Sequence, residues 1–551
     1  MRRASSLRGL PGLLALAVLP TAVLVVLFVV PVAGMLGRGV VVDGRPDLGG
    51  VLEVLGRPRV HRVLWFTVWS SGLATIVAVL LGVPAAFVAH RLRFPGRSLV
   101  RLLLLVPFVL PTVVVGVAFR QLVGEGGPLG GLGLDGSAAA IVAGLVFFNV
   151  SVVVRGVGAA WAGLDPRPAQ AAAALGASPR QVLTTVTLPA LRPAIVSSAS
   201  VVFLFCATAF GIVLTLGGLR YSSVETEIYL LTTQLLDLRA AAALSLLQIA
   251  SVVALLLVAA RARPADATGR GSDAPRLRPR RIVAADVPAL VVTAAVLTLV
   301  VAPLAMLVIG SLRVDGAWSL AAYRALDTTG GGNALVVPVT TAVQISLRTA
   351  VDATWMALLL GLLVSVAVTR RSRGRAERRV RTVLDGLFML PLGVSAVTLG
   401  FGLLITLSRP PLDLRDSPLL VPLAQALVAL PLVVRTLAPL LGGIDDRQRQ
   451  AAASMGADPV RAWLSVELPV IARPLLAVAG LAFAVSLGEF GATSFLARDA
   501  RPTLPVVIVR LLGRPGGLNY EMALAASVVL AATTALVMLA IERLRVPAGV
   551  L

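Results

Sequence analysis

The chain has 551 residues, of which 57% are hydrophobic, 14% charged and 5% aromatic, where an ordinary soluble protein carries roughly a quarter of its residues as charged groups. Its net charge of +22 comes from 49 basic and 27 acidic residues, and every basic residue is arginine; a P-loop of the G-x-x-x-x-G-K-[ST] type, which needs lysine, is excluded. One cysteine, Cys206, excludes an internal disulfide, and two histidines, His61 and His90, disfavour a histidine-built metal centre.

Apolar runs of about 20 residues, enough for a helix to cross a bilayer, fall near 10–36, 63–88, 102–119, 138–161, 195–216, 240–260, 284–311, 343–369, 383–407, 419–441, 475–497 and 520–541. They predict an all-α polytopic membrane protein with about twelve transmembrane helices. The first run follows Arg2, Arg3 and Arg8 but is longer than the 7–15 apolar residues of a signal peptide, and reads as a retained helix. His61, Trp65 and Trp69 read as an interfacial anchor. Gly131 to Gly136 satisfies G-x-G-x-x-G without a βαβ context and reads as a glycine-rich turn. Cys206 reads as a small packing residue.

Arginine concentrates in alternate loops, with seven residues each in 261–281 and 370–381. Positive charge resists translocation, so the pattern places both termini and the loops 90–101, 162–194, 261–283, 370–381 and 442–474 in the cytoplasm. Because these arginines lie between spans, they read as topology determinants against the lipid bilayer, and nucleic acid is not expected as a partner.

An offset of 280 aligns Gln170 to Ala173 with Gln450 to Ala453, Gly176 with Gly456, Pro179 with Pro459, and Leu188-Pro189 with Leu468-Pro469, ten identities in twenty positions. Gly82 and Arg91 align with Gly361 and Arg370 at an offset of 279. The chain therefore reads as two tandem six-helix halves, 1–260 and 284–551, joined by a basic linker at 261–283. An even number of spans per half makes this a parallel repeat.

The repeated cytoplasmic loops, 162–194 and 442–474, each specify two short helices around a turn. Ala171 to Leu175 are good helix formers, Gly176 is placed to end them, and Ser178, Pro179 and Gln181 form a start signal with a capping box. Gly456, Asp458 and Pro459 repeat this, and Pro189 and Pro469 are expected to close the elements. Val182, Leu183 and Val186 share one helical face, as do Ala462, Trp463 and Val466. Such a hairpin either docks a partner that comes in two copies or packs beneath its own bundle.

The hairpins resemble the EAA motif, E-A-A-x-x-x-G-x(9)-[IV]-x-L-P, of binding-protein-dependent ABC importer permeases of the MetI-like type. The resemblance implies that Gln170, Ala171, Ala172, Gly176 and Pro189, with Gln450, Ala451, Ala452, Gly456 and Pro469, form two coupling helices seated on two copies of a cytoplasmic ABC ATPase. It implies a transport subunit rather than an enzyme, with ATP and magnesium on the ATPase and no cofactor on this chain. It further implies an extracytoplasmic solute-binding protein and a bacterial cytoplasmic membrane location. Glutamine replaces the motif glutamate in both copies, which leaves a neutral hydrogen bond where an ion pair would form; Asp165, Asp445 and Asp446 are candidates to supply the charge.

Ionisable groups inside a membrane are costly and suggest function. Glu489 is the clearest, aligned by the following Phe-Gly with Ala209 in the first half; it either faces a cationic solute, with Phe490 and Phe210 as pathway neighbours, or caps a helix break at Gly488. Glu225, Glu227, Asp237 and Asp499 are expected on the outer side, solvated or facing solute and binding protein. Thr215 to Gly218 with Glu225, Glu227 and Tyr229, together with Ser486 to Gly491 and Arg501 to Pro505, resemble the thiamine and ferric-iron import permeases, and the stretch 203–260 favours the thiamine type. An ion-coupled secondary transporter also has two six-helix halves, but the loop G-x-x-x-D-[RK]-x-G is absent from 90–101 and 370–381. No convergent nucleophile, base and metal ligands point to a membrane enzyme.

Overall fold

The computed structural model describes residues 10–42, 45–218, 220–261, 279–314, 316–369, 375–389, 394–407 and 413–543. Most of the linker expected at 261–283, residues 262–278, lies outside them. Among the described residues, ten helices are long and apolar enough to span a membrane: Ala17–Val40, Pro58–Arg91, Ala138–Ala162, Pro179–Ala207, Leu238–Leu257, Ala284–Ser311, Val339–Thr369, Leu420–Gly442, Trp463–Gly488 and Gly517–Ile541.

The other two expected spans are not straight helices. Residues 102–119 fall on Arg97–Phe108 and Thr112–Val123, which meet at 107°. Pro111, lacking an N–H and biasing residue 110 against helical backbone, separates them. Residues 383–407 fall on Arg375–Met389 and Ala396–Thr406, the second capped by Ser395, whose side chain accepts from Thr398 N. The spans expected at 195–216 and 475–497 end earlier, at Ala207 and Gly488, and each is followed by a short separate helix, Gly211–Leu216 and Thr493–Leu496.

Pro189 and Pro469 do not close their elements, contrary to the expectation above. The helix runs through both, because a π-helical turn precedes each: Leu183–Thr187 and Trp463–Glu467. Leu188 N donates to Leu183 O, and Leu468 N to Trp463 O, five residues back. The extra residue lets the chain step past a ring that would clash with the carbonyl four residues earlier. Val25–Val29 does the same before Val30-Pro31.

Two compact units are present, one of residues 1–52, 228–249 and 324–551, the other of 53–227 and 250–323. They do not follow chain order: each takes its first spanning helix from the other half of the sequence. In the first unit the helix Ala17–Val40 packs on Val339–Thr369 and Ala396–Thr406; in the second, Ala284–Ser311 packs on Pro58–Arg91 and Thr112–Val123.

Inside each unit the repeat is visible as matched contacts. Gly82 sits where a Cβ would lie 2.7 Å from Val153 Cβ, and Gly361 is pressed in the same way against Val433. Small residues let helices approach where no hydrophobic force drives them together. Thr67 Oγ1 accepts from Val224 N at 3.0 Å, and the matched Ser346 Oγ from Leu504 N at 2.6 Å, so in each unit a hydroxyl on the long helix satisfies a backbone donor where a short helix begins. Gly116 abuts Thr215, while a Cβ on Gly400 would lie 2.6 Å from Ala492 Cα and 2.9 Å from its carbonyl oxygen. Backbone cannot rotate away as a side chain can. Gly400→Val is therefore expected to lower stability by about 1–3 kcal/mol, read as an earlier thermal midpoint of the detergent-purified chain.

Candidate functional site

The first hairpin begins at Arg167–Ala174, where Asp165 Oδ1 accepts from Arg167 N at 3.0 Å. The second begins at Asp446–Ser454, with Asp445 Oδ1 accepting from Arg447 N at 2.9 Å. These carboxylates therefore sit at helix N-termini, satisfying an orphan donor and complementing the helix dipole. Gln170 and Gln450 are exposed.

Both hairpins turn on glycine. Gly176 has φ +87° and Gly456 φ +84°, a conformation that costs an L-residue roughly 1–2 kcal/mol. Gly176 N donates to Ala173 O at 3.0 Å and Ala177 N to Ala172 O at 3.1 Å; Gly456 N to Ala453 O and Ala457 N to Ala452 O repeat those distances. This is the Schellman arrangement. Ser178 and Gln181 then form the reciprocal capping box, with Ser178 N donating to Gln181 Oε1 at 2.8 Å. In the second copy Asp458 Oδ1 accepts from Arg461 N at 2.6 Å.

The face and the tip of each hairpin differ. In the second copy Trp463 and Val466 pack on Val366, Leu441, Ile444 and Ile471, and Arg449 Nε donates to Glu467 Oε1 at 2.8 Å. The matched positions in the first copy, Ala169 and Thr187, cannot make that clamp. At the tips the two copies agree: Leu175 is 89% exposed and Met455 82%. Sequence reasoning passed over this pair, reading Leu175 only as a helix former. The signal was an apolar residue kept beside the turn glycine in both copies.

The second candidate region is the pair of broken helices. Glu489 and Phe490 lie in the first unit and Phe210 in the second, all buried. Glu489 Oε1 accepts from Ala492 N at 2.7 Å, and Oε2 from Thr493 N at 3.0 Å and Thr493 Oγ1 at 2.5 Å. Both oxygens thus engage the first turn of Thr493–Leu496. The first half has Ala209 there and starts Gly211–Leu216 without this cap. Both breaks are seated alike: a Cβ on Gly211 would lie 3.1 Å from Val113 N, and one on Gly491 3.1 Å from Val397 N.

Two of these four acids differ from the solvated groups expected, whereas Asp499 is exposed. Glu225 and Glu227 are buried in the first turn of Val224–Thr233, and Glu227 accepts from Arg59 at 2.5 and 3.0 Å. Desolvation of a carboxylate requires such partners. Asp237 Oδ1 accepts from Ala240 N at 2.9 Å, and Asp499 pairs with Arg510 at 2.7 Å.

Residues 78–263 match the family described as binding-protein-dependent transport system inner membrane component. The chain is 26% identical to the thiamine transport system permease protein ThiP of Brucella abortus, over 82% of each chain. It is 27% identical to that of Escherichia coli, over 82% of this chain and 83% of the other. The molybdenum transport system permease protein ModB of Mycobacterium bovis is 37% identical over 39% of this chain and 83% of its own length. A stretch of less than half this chain thus accounts for most of that protein, while the ThiP proteins align through both halves.

Proposed function

Because the chain belongs to the binding-protein-dependent inner membrane components of ABC importers, we propose that it forms the route by which thiamine or its phosphates cross a bacterial cytoplasmic membrane. It is a multi-pass permease subunit, and its family works with a cytoplasmic ATPase and a solute-binding protein. The observation that carries the working arrangement is the duplicated hairpin, whose glycine turn leaves one large apolar side chain, Leu175 or Met455, in water. One exposed apolar residue is ordinary, but its recurrence beside the turn glycine in both copies supports docking over packing beneath the bundle.

In this reading each tip seats on one of two ATPase copies, which bind ATP and magnesium, and both termini of the permease lie on that cytoplasmic side. Gln170 to Gly176 and Gln450 to Gly456 form the contact. Pro179–Ala207 and its counterpart, continuous through Pro189 and Pro469, carry the push without a joint. Closure of the ATPase dimer opens the outward path, and hydrolysis resets it. In this reading Phe490 and Phe210 meet the solute, each at the helix break of its own unit, and Glu489 acts by shaping its break.

Reconstitution with the companion ATPase and binding protein tests this. Thiamine should accumulate in proteoliposomes only with ATP, and the binding protein should gain thermal stability with thiamine but not with ferric iron. Stabilisation by ferric iron alone would replace the solute and leave the permease role standing; uptake without nucleotide would remove both.

A further inference from the structure

The end of Pro58–Arg91 that lies beside the first hairpin carries a corner of arginine. Trp161, at the end of the helix leading into that hairpin, contacts Phe87 with ring centroids 5.3 Å apart. Beyond Arg91, Leu92–Arg93 pairs in parallel with Arg280–Arg281, and a turn at Gly96, φ +79°, leads into Arg97–Leu105. Arg97 and Arg101 fold back to donate to Ala89 O at 2.9 and 2.8 Å, and Arg97 also reaches His90 O at 2.8 Å. Six arginines, 91, 93, 97, 101, 280 and 281, are thus gathered around one helix end.

The carboxylate of this corner is already engaged. Asp286, buried, accepts from Arg280 at 2.6 and 2.8 Å and from Val283 N at 3.0 Å. Arg91 lies within electrostatic reach of Arg280, and its buried Nη1 has no hydrogen-bond partner among the described residues. A desolvated guanidinium nitrogen without an acceptor is costly, and like charges held together call for an anion. Phosphate oxygens match the guanidinium fork. Beside the arginines, Leu99, Ile282, Val283 and Val287 are exposed. A soluble anion would leave those side chains in water, whereas the acyl chains of a lipid would cover them.

We propose that this corner binds the phosphate headgroup of an anionic phospholipid, with Arg91 and Arg281 on the phosphodiester and the acyl chains over Leu99 and Ile282. The site stands whether or not the solute is thiamine.

Native mass spectrometry of the full chain in detergent, titrated with phosphatidylglycerol, phosphatidylcholine and inorganic phosphate, is the test. Phosphatidylglycerol should be retained selectively, and Arg91→Gln/Arg281→Gln should weaken it about thirtyfold, the interfacial contribution of two arginines. Arg378→Gln/Arg379→Gln, which removes the same charge from exposed positions on Arg375–Met389, should change little. Should the first pair fail to fold, Arg281→Gln alone, at an exposed position, should weaken retention about fivefold, the share of one arginine. Equal loss in the 378/379 pair means diffuse attraction and overturns the site. So does equal retention of phosphatidylcholine, or displacement of the lipid by inorganic phosphate.

Discussion

Replacing Leu175 and Met455 together by glutamate is expected to release the ATPase while leaving the permease folded. The two side chains are 89% and 82% exposed, so the permease loses almost no packing. A buried apolar anchor at an interface is worth about 2–4 kcal/mol when removed, and a carboxylate in its place adds desolvation. Affinity per tip should therefore fall by at least about thirtyfold. Co-purification of tagged permease with its ATPase, scored beside the thermal midpoint of the permease, reads the two effects apart. Each single variant should retain about half of the ATPase if two copies bind. Full retention of ATPase by the double variant would mean that the hairpins only brace their own bundle.

At Glu489 the amide and the alanine should part company. The carboxylate accepts three hydrogen bonds from the first turn of Thr493–Leu496. Glu489→Gln keeps the size and one carbonyl acceptor, and should transport with a modest loss. Glu489→Ala strands buried donors that cost about 1–3 kcal/mol each, so destabilisation near 3 kcal/mol and loss of transport should come together. Thermal midpoint and uptake measured on the same preparations decide. Glu489→Gln that is fully folded yet inactive would show that the negative charge meets the solute, and the capping role would then be secondary.

What could be read from residues alone was whatever local chemistry dictates. Hydropathy marked most of the spans because burial in lipid demands long apolar runs. The 280-residue offset located both hairpins, and their turns follow from short-range needs: a residue at positive φ, a side-chain acceptor for a free N–H, a proline in a first turn. These are decided within about six residues, so the sequence carries them complete.

Packing decided the rest. Pro189 and Pro469 are helix breakers by composition, yet a widened turn before each keeps the helix continuous. Glu225 and Glu227 look like surface acids until Arg59, 168 residues from Glu227, is brought to it. Glu489 reads from sequence as either a ligand or a cap, and the broken helix supplies the three donors a cap needs; the tips of Leu175 and Met455 become conspicuous only once everything around them is placed. Ala17–Val40 and Ala284–Ser311 each join the compact unit built mostly from the other half of the chain. An apolar helix in a membrane is equally content against many apolar faces, so its choice of neighbour rests on small-residue fit and single hydrogen bonds that hydropathy does not encode.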